Sequence, residues 1–166
     1  MHVRHFIRLA LLAASLASAS GFAFTMADGK SVSCIAKGVA VREYESSAGD
    51  PVMRDRVGMT FPESNGYVIA WNAARLAALP PVVHDFIFFH ECAHARIPTT
   101  DEPAANCGGL KDMREAGRAN LEVEAKLAAY FASLGSSSYW DNTVRCANRP
   151  LAPASPLPGS AVKPPG

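Results

Sequence analysis

The chain has 166 residues, a formal net charge of +1 and 49% hydrophobic residues. This length fits one domain, and the apolar fraction is enough to build a buried core. Because the lysines and arginines form no run in the sequence, the composition argues against nucleic acid as a partner.

The first 19 residues have the pattern of a secretion signal. Residues 1–8 carry Arg4 and Arg8 and no acid, an apolar run covers Leu9 to Leu16, and residues 17–19 are small, as at a cleavage site. The run is shorter than the roughly 20 residues that a membrane span needs. We therefore predict an exported protein, periplasmic or extracellular, with no stable membrane anchor after cleavage. An uncleaved anchor is the alternative.

The cysteine content predicts a stapled domain. The four cysteines all follow the signal segment, at Cys34, Cys92, Cys107 and Cys146. An even number in an exported chain predicts two disulfides, and the sequence does not choose among the three possible pairings. A four-cysteine zinc site is the competing interpretation, but no two cysteines have the close spacing that such sites use.

The predicted elements place strands first and helices after them, which gives an α+β domain over residues 20–148. β-Prone segments are Val32–Val41, Val57–Phe61 and, as the best strand, Tyr67–Trp71. The predicted helices are Ala73–Leu79, Val82–Arg96, Glu102–Glu115 and Leu121–Leu134, with a last short element at Tyr139–Cys146. The proline-rich residues 149–166 are predicted to be a disordered tail.

The second predicted helix carries the candidate chemistry. It is apolar nearly all round and belongs in the core, yet it contains His90, Glu91 and His94. Residues four apart project from nearly the same side of a helix, so the two histidines can bind one metal ion. Glu91 is rotated by about 100° from His90 and can hold a water beside the metal. This His-Glu-x-x-His pattern predicts zinc with Glu91 as the general base. The alternative is two hydrogen-bonded core histidines and a salt-bridged glutamate.

A catalytic zinc site usually has three protein ligands and one water. Glu102, at the start of the next helix, is the predicted third ligand, with Asp101 as the alternative. Both acids can instead cap that helix. Asn106 follows one turn after Glu102 and is predicted to orient a histidine. His84 lies about 240° round the helix from His90 and is predicted to point elsewhere.

The motif His90-Glu91-Cys92-Ala93-His94, followed by Glu102-x-x-x-Asn106, resembles the gluzincin branch of zinc metallopeptidases. The resemblance covers roughly residues 65–115 and implies a small zincin-like domain that hydrolyses peptide or protein substrates. It also implies a strand along one side of the substrate cleft, for which Tyr67–Trp71 is the candidate.

The resemblance implies a role for each motif residue. The single zinc ion per chain would be held by His90, His94 and Glu102, and Glu91 would be the base. Asn106 stands where the family has an aspartate. Cys92 lies on the back of the helix and is predicted to be a packing or disulfide residue.

The family's downstream histidine, which stabilises the oxyanion, has no counterpart in this sequence. The candidate substitutes are Tyr130, Tyr139, Arg114 and Arg118, and the sequence does not choose among them. Two other functions stay open: a zinc-binding interaction module without catalysis, and a metal-free structural domain held by disulfides.

Overall fold

A computed structural model describes residues 22–47 and 49–149. The predicted signal sequence and residues 150–166 of the predicted tail lie outside these ranges. In the described part, short strands come first and helices follow, so the predicted α+β class and the order of its two halves are confirmed.

The strands form two small hairpins and one three-stranded sheet. The hairpins are β1 (Phe24–Thr25) with β2 (Ser31–Val32), and β3 (Ile35–Ala36) with β4 (Val39–Ala40). The sheet contains β5 (Arg42–Glu45), β6 (Gly58–Glu63) and β7 (Gly66–Trp71) in the order β5-β7-β6. β7 runs parallel to β5 and antiparallel to β6.

The prediction that Tyr67–Trp71 borders the cleft is wrong, because β7 is the central strand of this sheet. Its nearly continuous apolar run is typical of a strand with neighbours on both sides, and residues 68–71 are all buried. The edge strand on the side of the candidate site is β6. The Asn72 N–H donates to the Val57 carbonyl at 2.9 Å. Val57 and Asn72 are therefore a hydrogen-bonded pair. Because hydrogen-bonded and non-hydrogen-bonded pairs alternate along an antiparallel ladder, the N–H and C=O groups of Gly58 and Thr60 point away from β7.

The helices begin and end within two residues of the predicted bounds. They are α1 (Ala73–Ala77), α2 (Pro81–Arg96), α3 (Glu102–Glu115), α4 (Leu121–Ser133) and α5 (Ser137–Ala147). Most residues of α2 are buried, as its apolar sequence predicted. α2 packs against α3 on one side and against β6 and β7 on another. Within the described ranges, no helix is long and apolar enough to cross a membrane.

All four cysteines form disulfides, Cys34 with Cys92 and Cys107 with Cys146. The predicted two disulfides are therefore confirmed, and a four-cysteine metal site is excluded. The first bond ties the back of α2 to the segment before β3. The second ties α3 to α5, so both helices that carry site residues are anchored covalently.

Candidate metal centre

His90 and His94 lie side by side on α2, with their Nε2 atoms 3.2 Å apart. Both residues are buried, at 8% exposure. His90 Nδ1 lies 2.8 Å from Asn106 Oδ1, and His94 Nδ1 lies 2.8 Å from the Thr99 carbonyl oxygen. Because both partners are acceptors, each Nδ1 donates a proton to its partner, and in the neutral ring each Nε2 presents a lone pair. The predicted orienting role of Asn106 matches this geometry.

Glu102 completes the cluster from the first turn of α3. Its Oε2 lies 3.1 Å from His90 Nε2 and 3.6 Å from His94 Nε2. Asp101, the alternative ligand, instead caps α3, since its carboxylate accepts the Ala104 N–H at 3.3 Å. The Glu102 side chain is 59% exposed, so the cluster opens to solvent on this side.

The three candidate ligand atoms lie close to the spacing that a tetrahedral metal ion needs. Zinc bonds of about 2.0–2.2 Å to nitrogen and oxygen place neighbouring ligand atoms roughly 3.3–3.6 Å apart. The observed distances are 3.2, 3.1 and 3.6 Å. Two lone pairs and a carboxylate that face one another this closely repel unless a proton or a metal ion lies between them. His90, His94 and Glu102 therefore form a group that can hold a metal ion, as predicted.

The electrostatics of the cluster also favour positive charge. Burial opposes protonation of His90, but the hydrogen bond with Glu102 and the charges of Glu91 and Glu102 outweigh it and raise its pKa above 6.5. In return, the hydrogen bond with His90 lowers the pKa of Glu102 below its ordinary value. A proton and a metal ion therefore compete for the same place.

Glu91 lies beside the ligand group without joining it, as its rotation around the helix predicted. It is 7% exposed and lines one pocket with His94 and Glu102. The Thr60 hydroxyl of β6 lies 2.8 Å from Glu91 Oε2 and 2.8 Å from the Glu91 carbonyl oxygen. This contact holds the carboxylate on the β6 side of the pocket.

Gly58 allows β6 to come this close to α2. A Cβ atom at position 58 would lie 2.9 Å from Glu91 Cγ and 2.7 Å from a ring carbon of Trp71. Neither Gly58 nor Thr60 was predicted from the sequence. Thr60 and Glu91 are 31 positions apart, and no local pattern links them.

Gly109 likewise allows α3 to come close to α2. A Cβ atom there would lie 2.9 Å from both the backbone nitrogen and the Cα of His90. The glycine lets α3 lie directly against the turn of α2 that carries the ligand. Gly109 was not predicted from the sequence, although a glycine in a helix costs about 1 kcal/mol relative to alanine and so indicates a packing reason.

Two of the four oxyanion candidates are engaged elsewhere. Arg114 forms two 2.7 Å hydrogen bonds with the Glu124 carboxylate. Arg118 bonds to Asp85 at 3.3 Å and to Asp28 at 3.1 Å. Both arginines therefore hold helices and loops together, and neither lines the pocket that contains Glu91, His94 and Glu102.

Of the two tyrosines, Tyr130 lines a separate surface pocket with Pro80 and Lys126. Tyr139 of α5 lies beside the cluster. Burial raises the pKa of its hydroxyl, the charge of Glu102 adds to this effect, and the Asn106 amide opposes it. The buried Nδ2 of Asn106 has no hydrogen-bond partner among the described residues, so it can donate to the nearby Tyr139 hydroxyl.

His84 points elsewhere, as predicted, and its Nδ1 lies 3.1 Å from Asp85 Oδ1.

Comparisons with models of known protein families, with curated proteins and with solved structures gave no match. The functional conclusion therefore rests on the chemistry and geometry of the site.

Proposed function

We propose that this protein is an exported zinc metallopeptidase of the gluzincin type with a zincin-like domain. His90, His94 and Glu102 would bind one zinc ion, and Glu91 would be the general base. The observation that carries the proposal is the convergence of three ligand atoms at 3.1–3.6 Å, beside an acid that shares their pocket. Two imidazoles and one carboxylate are a ligand set of catalytic zinc sites, which keep a fourth position open.

The residues around the cluster suit hydrolysis. Bound zinc supplies a Lewis acid, which polarises a carbonyl group and lowers the pKa of water. Glu91 takes a proton from the attacking water and passes it to the leaving amine, while Thr60 keeps its carboxylate in place. Asn106 and Thr99 hold the histidine rings in the tautomer that leaves both Nε2 atoms free.

The proposed substrate is an extended peptide that lies along β6. The backbone groups of Gly58 and Thr60 point away from the sheet, next to the pocket that Glu91 lines. An edge strand with unpaired backbone groups binds an extended peptide by adding a strand to the sheet. β6 therefore takes the role that we expected of β7.

Tyr139 is the proposed donor to the oxyanion. Its hydroxyl is protonated at neutral pH, as that of an ordinary tyrosine is, and the Asn106 amide beside it can orient the phenol oxygen. We expect Tyr139→Phe to lower kcat by about 100-fold without changing zinc content, since the loss of one oxyanion donor has this effect. Steady-state kinetics with Tyr130→Phe as the matched control test the assignment. An unchanged kcat in Tyr139→Phe would exclude Tyr139 as the donor.

Two observations support an oxidising location for the protein. Both disulfides join distant parts of the fold, since their cysteines are 58 and 39 positions apart in the sequence. Such bonds persist outside the reducing cytosol. Together with the predicted signal sequence, they support export to the periplasm or the extracellular space.

Zinc content and peptide hydrolysis together test the proposed function. We expect the chain from residue 20 to 166 to bind one zinc ion, measured by elemental analysis, and to cleave members of a fluorescence-quenched peptide library. His94→Ala should lose both the zinc and the cleavage, because it removes one of three ligands. Circular dichroism checks that this variant is folded.

The other outcomes separate the competing functions. Zinc that is bound without any cleavage would overturn the peptidase proposal in favour of a zinc-binding interaction module. No zinc in the folded wild-type protein would leave a structural domain held by its two disulfides.

A further inference from the structure

Arg56 places a positive charge at the pocket beside the candidate metal site. It lines this pocket together with Glu91, His94 and Glu102. Its side chain is exposed, and within residues 22–47 and 49–149 the guanidinium makes no hydrogen bond or ion pair. The Arg56 N–H donates to the Met53 carbonyl at 3.2 Å, so the backbone at this position is held by a turn.

The acids around Arg56 have other partners. Asp55, its neighbour in the chain, pairs with Arg75 at 3.1 Å. Glu91 is held by the Thr60 hydroxyl, and Glu102 faces the two histidines. Arg56 is therefore not part of an ion pair that stabilises the fold, and its five N–H donors are available to a ligand.

The charge of the pocket favours an anion. If the proposed zinc ion is bound, the two negative charges of Glu91 and Glu102 balance the two positive charges of the zinc. The positive charge of Arg56 then gives the pocket a net charge of about +1. A partly enclosed pocket with a net positive charge attracts anionic groups. A guanidinium matches a carboxylate in particular, since its planar N–H donors can bind both oxygens.

We infer, on the basis of the proposed peptidase function, that Arg56 selects substrates by binding a carboxylate. The substrate class is then peptides with an acidic side chain or a free C-terminal carboxylate close to the cleaved bond. Arg56 lies two positions before Gly58, the first residue of β6 with outward backbone groups. A peptide that pairs with β6 therefore brings the groups at one end of the paired segment next to Arg56.

Matched peptides test this inference. One set carries Glu or Gln at single positions on either side of the cleaved bond, and another carries a free or an amidated C-terminus. We expect wild-type protein to show a kcat/KM about tenfold or more higher for the acidic member of one pair, because hydrogen bonds to charged groups have this strength. The pair that shows the preference identifies the source of the carboxylate.

Arg56→Gln should abolish the preference without changing zinc content. Arg54→Gln, which removes a neighbouring exposed arginine, should keep it. No preference in the wild-type protein, or an equal preference in Arg56→Gln, would overturn the inference.

A binding measurement separates this inference from the proposed function. The same acidic and neutral peptides, linked to a hydroxamate, are titrated by calorimetry into the zinc-loaded protein. Tighter binding of the acidic member that is lost in Arg56→Gln supports carboxylate recognition even if no peptide is cleaved. Equal binding of both members by the wild-type protein overturns it, whatever the hydrolysis assay shows.

Discussion

We expect Glu91→Gln to abolish the proposed peptide hydrolysis while the protein still binds the proposed zinc ion. The amide has nearly the same shape as the carboxylate and can still accept the Thr60 hydrogen bond, but it cannot take a proton from water. We expect kcat to fall by at least about 10³-fold, within the range that a general base contributes. The three predicted ligands are untouched, so elemental analysis of the same preparation should give the wild-type zinc content.

Glu122→Gln is the matched control for this experiment. Glu122 is exposed on α4, pairs with Lys126 at 2.6 Å and does not line the pocket that contains Glu91. Its replacement removes one carboxylate and should leave kcat unchanged. Wild-type activity in Glu91→Gln would show that another group takes the proton. Loss of zinc from Glu91→Gln would instead place Glu91 among the ligands.

The ligand group could be predicted from the sequence because its geometry is mostly local. Two histidines four apart on one helix must lie side by side, whatever surrounds the helix. Glu102 follows after a short turn and starts the next helix, which limits where its carboxylate can lie. The capping role of Asp101 is equally local and was one of the two expected roles.

The residues that restrain this group could not be predicted, because they come from distant parts of the chain. Thr60 reaches Glu91 only through the pairing of β6 with β7 and the packing of that sheet on α2. Tyr139 is brought to Asn106 by the packing of α5 on α3, which the bond between Cys107 and Cys146 secures. Neither contact leaves a periodic pattern in the sequence.

The error over the cleft strand has a physical cause as well. The apolar run from Tyr67 to Trp71 is the strongest strand signal in the chain, and a strand with such a sequence is buried on both faces. Burial is what excludes it from the cleft. The edge strand β6 contains Gly58 and Pro62, which weaken its β signal but suit an edge.

Gly109→Ala is expected to weaken zinc binding from outside the ligand group. The added methyl would meet the backbone of His90 at 2.9 Å, and backbone atoms cannot turn aside as a flexible side chain can. α3 must therefore move away from α2, and this movement takes Glu102 and Asn106 away from His90. We expect a loss of about 1–3 kcal/mol in the free energy of unfolding, typical of an overpacked core, and a clear fall in zinc affinity.

Gly108→Ala separates this steric effect from the change in helix propensity. Both substitutions gain up to about 1 kcal/mol from the alanine itself, since they lie side by side in α3. The methyl at position 108 would lie 3.2 Å from Ala93 Cβ, a close contact that needs a shift of a few tenths of an ångström and that the gain in helix propensity offsets. Its distance of 3.5 Å from Ile97 Cδ1 is an ordinary contact. Denaturant unfolding and competitive zinc titration should therefore rank Gly108→Ala near wild type and Gly109→Ala well below it. Equal behaviour of the two variants would mean that α3 does not need this close approach to hold Glu102 at the metal.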